Sequence, residues 1–97
     1  MFIVLNKSYG VFSLSKDFTD IYPEYKYIPF NHDYFKDIRK DNTFIQRLRD
    51  FGIGAANGRY SNLVITSIPD DVTDWRIRED DGYEYIEYVK DGKIYDA

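Results

Sequence analysis

The chain is 97 residues long, which suits one domain with a single modest core, so we expect one domain over residues 1–97. It contains no cysteine, which excludes disulfides, thiolate catalysis and cysteine-ligated zinc sites. Its formal net charge of −4 at pH 7 disfavours non-specific binding to nucleic acid, because proteins that bind the phosphate backbone are usually basic.

The sequence shows no membrane or export segment. Its apolar runs fall well short of the roughly 20 residues that span a bilayer, and the N-terminus lacks the basic-then-apolar order of a signal peptide. The absence of cysteine also suits a reducing compartment. We therefore expect a cytoplasmic protein that does not contact a membrane.

The chain begins with a predicted strand, a turn and a short helix. Phe2–Leu5 is a run of four apolar residues, which predicts a strand buried on both faces. After a turn at Gly10, Ser15 is the expected N-cap of a helix that Pro23 limits to about two turns. In the following segment, 24–34, apolar and polar residues alternate weakly, which predicts a short extended or edge segment.

The clearest predicted helix is Asn42–Phe51. Asp41 is placed to cap its start, an apolar stripe follows one face, and Gly52 provides the permissive residue that ends it. Beyond a glycine-rich loop, Leu63–Ile68 is apolar and β-branched enough to predict a central strand.

The last third of the chain predicts an antiparallel meander with one buried face. Trp75–Glu79 and Tyr83–Val89 alternate in polarity around an Asp81-Gly82 turn, and a second Asp-Gly turn leads into Lys93–Tyr95. The whole sequence therefore predicts an α+β fold. Its expected form is one compact, mainly antiparallel sheet of four to five strands with one or two covering helices.

Groups that catalyse reactions are scarce. His32 is the only histidine and lies in a predicted surface turn, and no serine has a nucleophile-elbow sequence. The pairs Asp70-Asp71 and Asp80-Asp81 are typical of solvated turns as well as of metal sites, and we favour the turn interpretation. We therefore expect no enzymatic activity, no metal and no cofactor.

Acidic charge is concentrated towards the C-terminus. Residues 66–97 carry ten acidic and four basic side chains, a net charge of −6, whereas residues 1–65 carry a net charge of +2. Carboxylates between tyrosines can dock a basic protein surface or imitate nucleic acid, while the plainer interpretation is a strand with its charged face in water. The predicted partner-binding residues are Glu79, Asp80, Asp81, Tyr83, Glu84, Tyr85, Glu87 and Tyr88.

Basic and aromatic residues elsewhere predict an alternative site. Lys7, Arg39 and Arg59 would bind phosphates, and Tyr9 or Trp75 would stack on a base. This alternative requires that the five side chains converge, since scattered ones are ordinary solvated groups. A pocket of this kind that is built between subunits would make the protein a homo-oligomer.

Several stretches together resemble a family of small phage and prophage proteins. That family opens with a motif like I-N-K-C-Y-G-G-F-x-L-S and ends near I-P-D-x-V-x-W-x-I-x-x-x-D-G-x-E. The matching stretches, which span most of the chain, are Ile3–Gly10, Phe12–Ser15, Arg39–Asp41, Ala56–Tyr60, Ile68–Val72 and Asp81–Glu84. The chain departs from the pattern at Ser8, Val11 and Asn42, where the family commonly has cysteine, a second glycine and proline.

The resemblance implies a phage origin. Members of the family are mostly uncharacterised, and small acidic phage proteins without catalytic residues often counter bacterial immunity. The resemblance therefore implies a counter-defence protein that acts in the cytoplasm of a bacterial host. Such a protein would inhibit an immune system by binding a host defence protein through the acidic, tyrosine-rich face. The alternative, similar to the Thoeris anti-defence sponges, is that it sequesters a cyclic nucleotide signal in the basic and aromatic pocket.

Overall fold

A computed structural model describes the backbone of residues 1–97 and every side chain except those at 33 and 34. Its elements are β1 (Phe2–Asn6), α1 (Lys16–Ile21), two 3-10 helices (Pro23–Tyr25 and Asp33–Lys40), α2 (Asn42–Phe51), β2 (Leu63–Ser67), β3 (Asp74–Asp80), β4 (Tyr83–Lys90) and β5 (Lys93–Asp96). The predicted α+β class is confirmed. None of the helices in this described chain is long and apolar enough to cross a membrane.

Both α-helices begin where the local sequence predicts. The side chain of Ser15 accepts a hydrogen bond of 3.2 Å from the N–H of Phe18, and that of Asp41 accepts one of 2.9 Å from the N–H of Phe44. Helix α2 ends at Gly52, whose φ of 100° lies in the region that side chains disfavour. Capping residues therefore mark both starts and the end of α2.

Strands β3, β4 and β5 form the predicted antiparallel meander. Each connecting turn is an Asp-Gly pair in which both residues have positive φ, 51° and 89° at Asp81 and Gly82, then 52° and 74° at Asp91 and Gly92. Two such residues in a row match the handedness of twisted strands, which is why this dipeptide closes tight hairpins.

The five strands form two sheets, so the expectation of a single sheet is wrong. β1 pairs antiparallel with β2, and β3, β4 and β5 make the second sheet. Among the described strands β2 pairs with β1 alone, and the expectation that it is a central strand is also wrong. The sheets stay separate because the other edge of β1 bonds to the side chains of Arg39 and Glu84 instead of to a third strand.

Segment 24–34 is not extended, and that prediction is wrong as well. Pro23 begins a 3-10 helix, which suits its fixed φ. Tyr25 and Phe30 are buried, and their rings lie 4.8 and 5.2 Å from the ring of Phe44. Burying two aromatic rings outweighs the weak local alternation of the sequence.

Strand β1 is buried on both faces, as its four apolar residues predict. Val4 packs in a core with the two α-helices, which contribute Phe18 and Leu48 among others. Ile3 and Leu5 point to the opposite side and pack in a second core with Ile86 of β4. β1 therefore lies between the helices and the three-stranded sheet, and it holds both in position.

Candidate functional site

A buried ion pair connects the two sheets. The guanidinium of Arg39, in the second 3-10 helix, donates hydrogen bonds of 2.7 and 2.8 Å to the two carboxylate oxygens of Glu84 in β4. The two residues are only 1% and 3% exposed. Both were predicted to contact a ligand or a partner, and this burial keeps both away from the surface.

All five donor hydrogens of Arg39 are used within the protein. Nε and Nη2 donate to the carbonyl oxygen of Phe30 at 3.2 and 2.8 Å, and Nη1 donates to that of Val4 at 3.0 Å. The two bonds to Glu84 use the remaining hydrogens. Arg39 is thereby removed from the predicted ligand-binding set, because its guanidinium has no donor left for a phosphate.

The same ion pair satisfies the free edge of β1. The backbone N–H of Lys7 donates to Asn62 on the β2 side, so residues at even positions of β1 direct their backbone groups the other way. There the carbonyl of Val4 accepts from the guanidinium, and the N–H of Asn6 donates to the carboxylate at 2.7 Å. Two side chains thus take the place of a third strand, and the sheet ends.

The side chain of Asn6 joins the turn after β1 to the turn between β3 and β4. Its amide nitrogen lies 3.2 Å from the carbonyl oxygen of Ser8 and 3.1 Å from those of Gly10 and Gly82, and its oxygen accepts from the N–H of Asn62 at 2.8 Å. Gly82 lies so close to Gly10 that a Cβ there would overlap the Gly10 carbonyl. Stretches that carry the family resemblance therefore meet in space as a structural junction.

Three exposed tyrosines surround this junction. The ring of Tyr9 lies 5.3 Å from the ring of Tyr83, and the backbone and Cβ of Tyr60 lie against Gly10. Tyr9, Tyr60 and Tyr83 are 73%, 62% and 36% exposed. Three segments that are far apart in sequence thus meet at this junction, and each carries an exposed tyrosine.

Two cations accompany these rings. The ammonium of Lys7 lies 5.1 Å from the centre of the Tyr83 ring, and the guanidinium of Arg59 lies 5.2 Å from that of Tyr60. We call this surface the tyrosine patch, and its residues are Lys7, Tyr9, Arg59, Tyr60 and Tyr83.

Lys7 is held in place more firmly than an ordinary surface lysine. Its ammonium donates a hydrogen bond of 2.6 Å to the backbone carbonyl of Glu84. Burial lowers the pKa of Lys7 below its ordinary value because it removes water from the charged form, and the negative charge of Glu84 opposes part of that shift. The backbone carbonyl of Glu84 therefore positions a cation of the patch.

The predicted partner-binding residues of the hairpin do not share one face. Side chains alternate along β4, so Tyr83, Tyr85 and Glu87 lie on one side and Glu84 and Tyr88 on the other. The burial of Glu84 excludes it from any contact surface. The ring of Tyr88 stacks on that of its neighbour in β5, with centres 5.4 Å apart.

Charge on the outer side of the hairpin is partly neutralised within the sheet. Glu87 accepts a hydrogen bond of 2.9 Å from Nε of Arg76, and Arg78 lies 3.9 Å away. Glu79 lies opposite Glu84 in the register of the hairpin. The exposed acidic groups that remain of the predicted face are Glu79, which lines the cavity beside the ion pair, and Asp80 and Asp81, which lie next to the tyrosine patch.

Three of the five residues of the alternative site lie in the tyrosine patch, namely Lys7, Tyr9 and Arg59. Trp75 does not join them. The ammonium of Lys36 lies 4.6 Å from the centre of the indole and donates to the Trp75 carbonyl at 2.9 Å, and the ring packs against the second core. The predicted convergence is therefore incomplete, since Trp75 and Arg39 lie elsewhere.

A cavity of about 110 Å³ lies beside the ion pair. Its lining includes Lys36, Glu79 and the exposed His32 in addition to the pair itself. Within the part of the chain that the structure describes, no group of three or more histidine, cysteine, aspartate or glutamate residues is arranged to hold a metal ion.

Comparisons with known proteins give no relative for this chain. No protein-family model, curated protein or solved structure matches it. The resemblance to small phage proteins stays a prediction, and the site is interpreted from its own geometry.

Asn6 and Tyr60 were missed as site residues by the sequence analysis. Both lie inside stretches that carry the resemblance, Ile3–Gly10 and Ala56–Tyr60, so a motif signal was present. Their roles depend on contacts between the turn after β1 and residues more than 45 positions away. Local sequence patterns do not encode such contacts.

Proposed function

We propose that this protein acts by binding another protein, and that the tyrosine patch is the contact surface. The exposed rings of Tyr9 and Tyr83 lie 5.3 Å apart, and the exposed Tyr60 lies against Gly10, which supports this proposal. Tyrosine and arginine are enriched where protein interfaces gain most of their binding energy, because they bury a large area and still offer a polar group.

The junction beneath the patch favours tight binding. Asn6 and the close approach of Gly82 to Gly10 fix the two turns that carry Tyr9 and Tyr83. Binding then costs little ordering of the backbone, which leaves more of the contact energy for affinity. A rigid patch of this kind suits a partner surface with an apolar centre.

Charge refines the class of partner. Lys7 and Arg59 lie among the rings, and Asp80 and Asp81 lie at one end of the patch. A matching partner therefore carries carboxylates opposite the two cations and basic groups opposite the turn. The resemblance to small phage proteins makes a protein of a bacterial immune system the partner to test first.

The test measures plaque formation by sensitive phage on bacteria that each carry one defence system, with and without this protein. The wild-type protein is expected to restore plaques on at least one such host, and the double variant Tyr9→Ser/Tyr60→Ser is expected to lose that effect. Tyr27→Ser/Tyr95→Ser, which removes two exposed tyrosines elsewhere, is the matched control. Thermal unfolding checks that both variants fold.

Two results would count against the proposal. Restoration of plaques by the Tyr9→Ser/Tyr60→Ser variant at the wild-type level would exclude the tyrosine patch as the contact surface. Failure of the wild-type protein on every host would reject the counter-defence role.

A second candidate function is sequestration of a cyclic nucleotide, which two contacts favour: Lys7 and Tyr9 both lie against the ring of Tyr83, and Arg59 lies against that of Tyr60. The cations would bind a phosphate, and the exposed ring beside them would stack on a base. The described linings of the cavity beside the ion pair and of a groove of about 410 Å³ near α1 contain no residue of the patch, so we expect a second copy of the chain to enclose the nucleotide against the patch.

Calorimetry with a panel of cyclic nucleotides and cyclic ADP-ribose isomers tests this function. Binding should weaken in Lys7→Ala/Arg59→Ala and persist in Lys40→Ala/Lys93→Ala, which removes two cations outside the patch. Light scattering during the titration should show a dimer. The absence of heat with every ligand would reject the nucleotide function but would not count against the proposal that the patch binds a protein.

A further inference from the structure

A second surface feature lies apart from the tyrosine patch. It is an open groove of about 410 Å³ between the start of α1 and the segment that follows the first 3-10 helix. Phe12, Tyr25 and Phe30 line it with aromatic rings, and Leu14 and Ile28 add aliphatic surface. The volume lies within the range of about 300–1,000 Å³ that is usual for small-molecule sites.

The aromatic floor of the groove is fixed. The rings of Phe12 and Phe30 stack with centres 4.8 Å apart, and Phe30 in turn stacks on Phe44 at 5.2 Å. The guanidinium of Arg39, itself buried in the ion pair, lies 3.9 Å from the centre of the Phe12 ring. A ligand would therefore meet a surface that needs little rearrangement.

The edge of the groove is positively charged. Lys16 and Lys26 are both exposed, and no acidic residue is found among the described residues that line the groove. Lys16 also donates to Asp20 at 2.7 Å, but both partners of that bridge face water. An exposed pair of this type contributes little, so Lys16 can exchange it for a ligand at small cost.

We propose that this groove binds a small aromatic anion, whose ring packs against the edges of the Phe12 and Phe30 rings and whose anionic group is held by Lys16 and Lys26. Edge-to-face contacts favour an aromatic body over a linear aliphatic one, because the faces of the two floor rings are already covered by each other, by Phe44 and by Arg39. Two cations beside an apolar surface favour an anionic head group over a neutral or a basic one. The proposal does not depend on the tyrosine patch.

The experiment titrates the ¹⁵N-labelled full chain with 2-naphthoate and follows amide shifts by NMR. Saturable shifts are expected at residues 12–14 and 25–30. 2-Naphthylmethylamine, which has the same ring system and the opposite charge, is expected to bind at least tenfold more weakly. Decanoate tests the preference for an aromatic body and is expected to bind more weakly than 2-naphthoate.

A charge-reversal variant tests the two lysines. Lys16→Glu/Lys26→Glu should lower the affinity for 2-naphthoate at least tenfold. Lys40→Glu/Lys93→Glu changes the net charge by the same amount at exposed positions outside the groove, and it should bind like the wild type. Both variants alter exposed side chains only, so both are expected to fold.

Four outcomes would overturn the proposal. Two concern the shifts: they do not saturate, or they saturate but are centred outside the groove. The other two concern affinity: the two charge-reversal variants bind equally, or the naphthoate and the amine bind equally, since the lysines would then select no charge.

Discussion

Arg39 and Glu84 face each other across two parallel hydrogen bonds of 2.7 and 2.8 Å, with both side chains withdrawn from water. The pair bonds three further backbone groups, the carbonyls of Val4 and Phe30 and the N–H of Asn6. One side-chain contact therefore connects β1, β4, the second 3-10 helix and the loop before that helix.

Replacing Arg39 by methionine is expected to destabilise the protein strongly. Glu84 would be left as an unpaired buried charge, and removing one partner of a buried pair typically costs about 3–5 kcal/mol of unfolding free energy. Urea unfolding followed by circular dichroism measures the loss. Arg76→Met, at a pair whose arginine is 58% exposed, is the matched control and should cost less than about 1 kcal/mol.

The double variant Arg39→Met/Glu84→Leu separates the charge from the backbone bonds. Apolar replacement of both members often restores stability when a buried pair stands alone. Here the carbonyls of Val4 and Phe30 and the N–H of Asn6 would lose partners, at about 1–3 kcal/mol for each unsatisfied group. The double variant should stay less stable than the wild type, and full recovery would contradict this account of the β1 edge.

Gly82 and Gly92 make a matched pair of alanine substitutions in two equivalent turns. Both have positive φ, so alanine should cost about 1–2 kcal/mol at either position. At Gly82 the new Cβ would also overlap the carbonyl of Gly10, whereas at Gly92 it meets no atom within 4 Å. Gly82→Ala should therefore lose about 2 kcal/mol more in thermal or urea unfolding. Equal losses would show that the junction can relax.

Replacing Asn6 by aspartate tests the junction from the other side. The amide that now faces three carbonyl oxygens would become a carboxylate, so its donors would be lost and like partial charges would meet. We expect a loss of at least about 3 kcal/mol at neutral pH. Asn31→Asp makes the same chemical change at an exposed position and should be nearly neutral.

The stability of Asn6→Asp should also depend on pH. The carbonyls would raise the pKa of the new carboxyl in the folded state, so the folded protein would bind more protons than the unfolded one. Relative to the wild type, the variant should therefore regain stability as the pH falls through that raised value. A pH-independent deficit would mean that lost donors, not charge, dominate.

The pKa of Lys7 should lie below the ordinary lysine value, and that of Lys16 should lie above it. Burial lowers the pKa of Lys7, while the hydrogen bond and the charge of Asp20 raise that of Lys16. Because the folded state lowers the pKa of Lys7, the unfolded chain binds more protons between the two pKa values, and stability rises with pH in that window. NMR titration of the lysine side chains checks that the pKa of Lys7 is the lower of the two. Lys7→Met should leave the pKa of Lys16 unchanged.

The sequence alone determined the features that depend on neighbouring residues. Ser15 and Asp41 cap their helices because a side chain beside the first turn is all that a cap requires. The Asp-Gly turns at Asp81 and Asp91 follow in the same way from the φ values that those dipeptides tolerate. The burial of β1 on both faces was equally visible in four consecutive apolar residues.

Tertiary structure alone decided which charged residues are available for binding. Arg39 and Glu84 are 45 residues apart, and nothing near either one shows that they neutralise each other in the core. The alternation of acidic and tyrosine residues in β4 suggested one contact face, but a pleated strand sends neighbours to opposite sides. The tyrosine patch formed instead where two turns meet, because Asn6 and Gly82 bring Tyr9 and Tyr83 within 5.3 Å of each other.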